Sequence, residues 1–106
     1  MRRQTARLSQ WVATLLSFPE QSLSDGWGVL LDLSLEGAKL QTRSPLSASK
    51  ELFLSFSLAD QHFNRLHAQV SHVRRDSEGY TVCGLRFKEM LERQTLKDAL
   101  VGVLTK

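Results

Sequence analysis

The segment "ELFLSFSL", Glu51 to Leu58, alternates without a break: Leu52, Leu54, Phe56 and Leu58 share one face, and Ser55 and Ser57 the other. A period of two marks a strand with one buried and one wet face. The remaining apolar stretches read the same way. "LSQWVATLLSF" (8–18), "WGVLLDLS" (27–34) and "GAKLQT" (37–42) are rich in β-branched and aromatic residues or too short for a helix. "FNRLHAQVSHV" (63–73) sets Leu66, Ala68, Val70 and His72 on one face of a long, bent fifth strand, and "YTVCGLRF" (80–87) is a sixth. Between them stand turn-formers such as "PEQSLSDG", "RSPLSAS" and "RRDSEG".

Only the last segment changes period. In "LERQTLKDALVGVLTK", Leu96, Leu100, Val103 and Leu104 recur at helical spacing with Lys97 and Asp98 outward. Six short antiparallel strands followed by one amphipathic helix predict a mainly β fold, a small closed or nearly closed barrel capped by that helix. At 106 residues and 42% hydrophobic content there is room for one core and one domain. The expected division is an Arg-rich arm over 1–8, a barrel over 9–87 and a helix over 89–104, with no internal repeat.

Several function classes are disfavoured by composition. No run approaches the ~18 consecutive apolar residues of a membrane span. Met1 is followed by "RRQTAR" rather than by a signal peptide's apolar core, so a cytoplasmic protein is expected. The single cysteine, Cys83, has no intramolecular partner and reads as strand filling. His62, His67 and His72 recur every five residues, which on a regular strand puts His67 on the opposite face from the other two; no metal site is expected. Asp32, Ser34 and a histidine can be drawn as a hydrolytic triad, but without a nucleophile elbow, so the chain is not read as an enzyme. A barrel binding single-stranded nucleic acid wants exposed aromatics along a basic groove, whereas Trp11, Trp27, Tyr80 and the phenylalanines are expected mostly in the core.

The net charge of +3 is unevenly placed. Arg2, Arg3 and Arg7 are the only charged side chains before Glu20; beyond them, the remaining 11 of the 14 Lys and Arg balance 11 Asp and Glu. Three arginines in six residues suit a solvated terminus or a clamp for a compact anion, because the planar guanidinium pairs bidentately with phosphate or with the O6/N7 edge of guanine. A second feature is "DLSLEG", which sets Asp32, Ser34 and Gly37 as Asp-x-Ser-x-x-Gly. By itself this also describes an ordinary turn, in which Asp and Ser bond local N–H groups and Gly accepts positive φ.

Taken together, "RRQTAR" with Arg3-x-x-x-Arg7, "DLSLEG", the hairpin "AQVSHVRRDSEGYTVCGLRF" and the closing helix resemble a PilZ domain over nearly the full chain. The resemblance implies a bacterial six-stranded β-barrel with a C-terminal helix that binds the second messenger cyclic di-GMP. It implies that Arg3 and Arg7 contact guanine edges and phosphate, that Asp32 accepts from a guanine donor edge, that Ser34 hydrogen-bonds nearby, and that Gly37 admits close approach. His72 falls where the family commonly stacks an aromatic on a base, a departure that reduces the stacking area. Arg2, just ahead of the pair, implies two intercalated ligand molecules per chain. The implied protein is a monomeric receptor without cofactor, metal, nucleic-acid partner or membrane insertion. It signals to a separate protein of motility, secretion or polysaccharide synthesis. The alternative is a PilZ-like adaptor that docks on a protein partner without binding nucleotide.

Overall fold

The computed structural model describes residues 7–8, 11–19, 26–88 and 90–104, with side chains described for 11–19, 26–88 and 94–102. Arg2 and Arg3 lie outside the described residues, and Arg7 is placed by its backbone alone. The elements are β1 (Arg7–Leu8), β2 (Val12–Ser17), β3 (Gly26–Ser34), β4 (Gly37–Thr42), β5 (Glu51–Leu58), β6 (Gln61–Arg75), β7 (Thr81–Phe87) and α1 (Met90–Leu104).

Six of these strands close a ring in the order β3-β2-β5-β6-β7-β4, with β4 pairing back onto β3 and every pairing antiparallel. Closure removes the unpaired edges that an open sheet would expose. The two-residue β1 adds to β3 beyond the end of β2, with Arg7 opposite Ser34 and Leu8 opposite Leu33. The single first strand expected over 8–18 is thus two pieces, and their registers against β3 do not continue into each other.

The alternation in β5 holds throughout: Leu52, Leu54, Phe56 and Leu58 are all buried. They join leucines from β2, β3, β4 and β6 and the aromatic pair Phe56–Phe63, stacked at 5.0 Å. Each fully buried leucine contributes about 1.5–3 kcal/mol at most. Helix α1 adds Leu96, Ala99 and Leu100 to the same core, while Lys97 and Asp98 face water. Its Gly102 faces Ala59 in the β5–β6 turn, so the helix lies across that end of the barrel. The expected Val103 and Leu104 contacts fall outside the described side chains.

Trp11 and Trp27 correct the expectation of a buried position: they are 73% and 68% exposed. On β2 the inward row is Val12, Thr14 and Leu16. Buried Thr14 keeps its hydroxyl satisfied by donating to the Ser55 carbonyl at 3.2 Å. The more apolar row, Trp11, Ala13 and Leu15, faces out.

Candidate functional site

Three register shifts interrupt the barrel, and two of them build one surface. Between Leu30 and Asp32 the pairing of β3 with β4 slips by one residue. Regular alternation after the inward Leu30 would send Asp32 inward; with Leu31 as the extra residue, Leu33 points in while Asp32 and Ser34 point out. A β-bulge re-aims the side chains that follow it in this way. A second shift lies between Val70 and His72, where β6 runs against β7. Here Ser71 is the extra residue, and His72 leaves the inward row of Leu66, Ala68 and Val70 in which strict alternation places it.

The third shift, between Leu54 and Phe56, gives β6 an extra residue near Arg65, whose φ is +62°. Together the two shifts on β6 leave His62, His67 and His72 all on the outer face, not divided as a regular strand would divide them. They remain separate: His62 bonds Ser57, His67 pairs with Glu51 at 2.7 Å, and no metal-binding group of side chains occurs among the described residues.

The two re-aimed segments face each other across β4 and β7 and enclose a cleft of about 330 Å³. Asp32, Ser34, Glu36, Gly37, Lys39, Ser71, His72, Gly84 and Arg86 contribute to its wall. Of the sequence-expected residues, Asp32, Ser34, Gly37 and His72 are therefore brought together. Arg7 is tied to the same place by its backbone, opposite Ser34.

Ser34 and Gly37 each have a structural part within the turn and the strand pair. Ser34 Oγ donates to the Gly37 carbonyl and accepts from the Glu36 N–H, both at 3.3 Å, so this hydroxyl holds the turn in shape. Gly37 does not use positive φ. It is required because a Cβ there would run into the carbonyl oxygen of Leu85, the residue before its β7 partner Arg86. Gly84 works similarly for the opposite wall. The His72 ring lies over its Cα, with both ring nitrogens 2.9 Å from where a Cβ would stand.

Sequence reasoning missed Lys39, Ser71 and Arg86. Lys39 and Arg86 are exposed, flank Gly37 and Gly84 in the β4–β7 register, and form no ion pair among the described residues. Their signal was available: both stand on the wet side of strands whose inward residues, Leu40, Leu85 and Phe87, were legible. Ser71 had no signal, because nothing in its residue type announces a bulge.

The wall therefore offers two carboxylates that can accept from donors, two cations to meet anions and an imidazole beside them. Ser34 is engaged inside its turn, and the described partner of His72 is Ser71, whose hydroxyl also reaches the Gly84 carbonyl. A closed six-stranded barrel carrying such a cleft on its outer face is a ligand-receiving domain in form. The sequence matches the PilZ domain family over residues 1–105, and the chain belongs to that family.

Solved structures share the fold at low identity. The MrkH–c-di-GMP complex of K. pneumonia superposes with a TM-score of 0.77 at 18% identity, covering 99% of this chain and 52% of that one. YcgR of Escherichia coli in complex with c-di-GMP gives 0.76 at 16% identity, covering 98% and 46%. The Bacillus subtilis inhibitor of motility, MotI/DgrA, gives 0.71 at 18% identity, covering 95% and 50%. The chain thus spans about half the length of these proteins. No curated protein sequence matches it significantly.

Proposed function

We propose that this chain is a cyclic di-GMP receptor, with the ligand seated in the Asp32–His72–Arg86 cleft and the N-terminal arginines completing the site. A cyclic dinucleotide presents two phosphates, guanine O6/N7 acceptors and N1–H/N2–H₂ donors. Asp32 suits the donors; Lys39, Arg86 and the arginines at 2, 3 and 7 suit the phosphates and the acceptor edge. The observation that carries the reading is the pairing of Arg7 with Ser34, which joins the arginine arm to the floor of the cleft.

The cleft's 330 Å³ is at the lower end of the roughly 300–1,000 Å³ typical of ligand sites, so enclosing a dinucleotide calls for chain beyond these walls. The arm, joined to the cleft through the pairing of Arg7 with Ser34, is proposed to supply it. Ordering such a segment costs about 1–2 kcal/mol per residue, against about 1.5–3 kcal/mol gained per charged hydrogen bond. The pairing of Arg7 and Leu8 with β3 takes those two residues out of that cost. Affinity near micromolar, about −8 kcal/mol, follows, and it weakens with salt. Arg2 favours a stoichiometry of two ligands per chain, and Arg2→Leu moves the ratio toward one. The liganded surface then acts on a separate protein of motility, secretion or polysaccharide synthesis.

Calorimetric titration with cyclic di-GMP, using GTP and GMP as controls, tests the reading. Saturable heat with the cyclic dinucleotide alone is the expected result. Its absence, with unchanged NMR signals for residues 32–37, returns the chain to the adaptor class.

A further inference from the structure

The contacts of His72 decide more than whether a ring is present. Ser71 Oγ stands 3.1 Å from the Gly84 carbonyl and 3.2 Å from His72 Nδ1. A hydroxyl has one hydrogen and a carbonyl oxygen can only accept, so that hydrogen goes to Gly84. Nδ1 must then be the donor toward Ser71. The neutral ring, assigned from this network, carries its hydrogen on Nδ1 and leaves Nε2 as a lone-pair acceptor with no partner among the described residues. Gly84 lies against the Nδ1–Cε1–Nε2 part of the ring, because only a residue without Cβ leaves room for it there.

This arrangement lets the imidazole gain a proton without breaking anything. Ser71 accepts from Nδ1–H in the neutral and the cationic ring alike, so the added proton goes to Nε2. The charged groups around it are Asp32 from β3, Glu36 from the β3–β4 turn, Lys39 from β4 and Arg86 from β7, two of each sign, with Arg74 further along its own strand. A phosphate brought against the ring adds negative charge next to Nε2, which favours the protonated form. Neutral Nε2 would turn a lone pair toward phosphate or a guanine O6/N7 edge, whereas protonated Nε2 donates to them.

We propose that Ser71 is a positioning residue that fixes His72 with Nε2 toward the ligand, and that binding of the dinucleotide draws one proton from solvent onto Nε2, so that affinity rises as the pH falls. This rests on the proposed cyclic di-GMP reading of the cleft. It makes the site a coincidence detector for the messenger and for acid.

The test is calorimetry of the full chain with cyclic di-GMP at pH 5.5, 6.25 and 7.0, each in two buffers of different ionisation enthalpy. The window stays below the titration of an α-amino group and above that of ordinary carboxylates. Wild type is expected to bind about three-fold tighter at pH 5.5 than at 7.0, the change that a one-unit upward shift on binding produces across this window for an imidazole of ordinary value. Near pH 6.25 the buffer dependence should show net proton uptake. His72→Gln should flatten the profile, and Ser71→Ala should reduce its slope. In the free protein, the ¹⁵N shifts of His72 should report the Nδ1–H tautomer, moving toward Nε2–H in Ser71→Ala. Binding with a flat wild-type profile, a slope that survives His72→Gln, or a predominant Nε2–H tautomer in wild type overturns the inference alone. No binding at any pH overturns the cyclic di-GMP reading and takes this inference with it.

Discussion

Strand β3 has two outer neighbourhoods that could hardly differ more. Toward its end it is bulged at Leu31, turns Asp32 and Ser34 outward, and borders a cleft with charges of both signs. Toward its start it pairs regularly with β2 and presents Trp27 and Val29 beside Trp11, Ala13 and Leu15, on segments (11–19 and 26–31) without one charged residue. The barrel tolerates both because its inner face is the same throughout. What separates them is register: an irregularity moves polar side chains that alternation assigns inward onto the outside, whereas regular pairing keeps whatever residues happen to lie there. The cleft face is thus a product of interrupted pairing, and the tryptophan face of uninterrupted pairing.

The comparison breaks most easily at Gly37. Adding a Cβ drives it into the Leu85 carbonyl, which is backbone and cannot turn away. Gly37→Ala should therefore part β4 from β7, costing about 1–3 kcal/mol as an overpacking substitution does, and should weaken ligand binding through the same shift. Urea unfolding beside calorimetry reads both. A Gly37→Ala protein as stable as wild type would mean that the two strands are not held at this distance.

Arg86 and Arg3 sharpen the other side of the contrast, since both are proposed to act on the ligand and not on the fold. Arg86→Ala should lose about ten-fold or more in affinity, in keeping with one charged hydrogen bond. Arg3→Ala should abolish most binding, and each should change unfolding free energy by no more than about 0.5 kcal/mol. A large fall in thermal stability for Arg3→Ala would show the arm to be structural.

How far the sequence disclosed this follows the same line. Where a strand has one wet face, as in β5, the pattern gave strand and inward row together. Where both faces are apolar, as in "WVATLL" and "WGVLL", period two is present but does not say which row turns in; Thr14 went inside and Trp11 outside. Bulges at Leu31 and Ser71 carry no residue signature, so the outward turn of His72 was illegible although its place in a site was not. The β5–β6 turn was equally silent, because Ala59 and Asp60 take φ of +51° and +63° where glycine or asparagine is the usual signal. Asp32, Ser34 and Gly37 were legible as a motif, and Lys39 and Arg86 as outward cations by alternation, but as neighbours in one wall only once the register of β4 against β7 was known.

The β6–β7 turn gives a pH-dependent effect outside both faces. Asp76 accepts from the N–H groups of Glu78 and Tyr80 at 2.9 and 3.0 Å and from the Gln41 amide at 3.3 Å, tying the turn to β4. Partial burial pushes its carboxyl up, but these donors and nearby Arg74 outweigh that and hold it below its ordinary 3.8. A depressed folded-state value means that the stabilisation is fully present above the unfolded value and is lost as pH falls through the folded one. The stability advantage of wild type over Asp76→Asn, read by urea midpoint, should accordingly be present at pH 5 and shrink toward pH 3. An unchanged difference would remove the charge from the account.

The smallest effect is expected where hydrophobicity alone would predict the largest. Trp27 is the bulkiest side chain on β3, yet 68% of it is exposed, opposite Leu15 on a face without charge. Removing it takes away little buried area, so Trp27→Ser should alter unfolding free energy within about 0.5 kcal/mol. Cyclic di-GMP affinity should stay as in wild type, because the substitution leaves the bulge at Leu31 and the cleft beyond it untouched. A loss of several kcal/mol would place the indole inside a packed contact, and a loss of affinity would join the two faces of β3 that the register keeps apart.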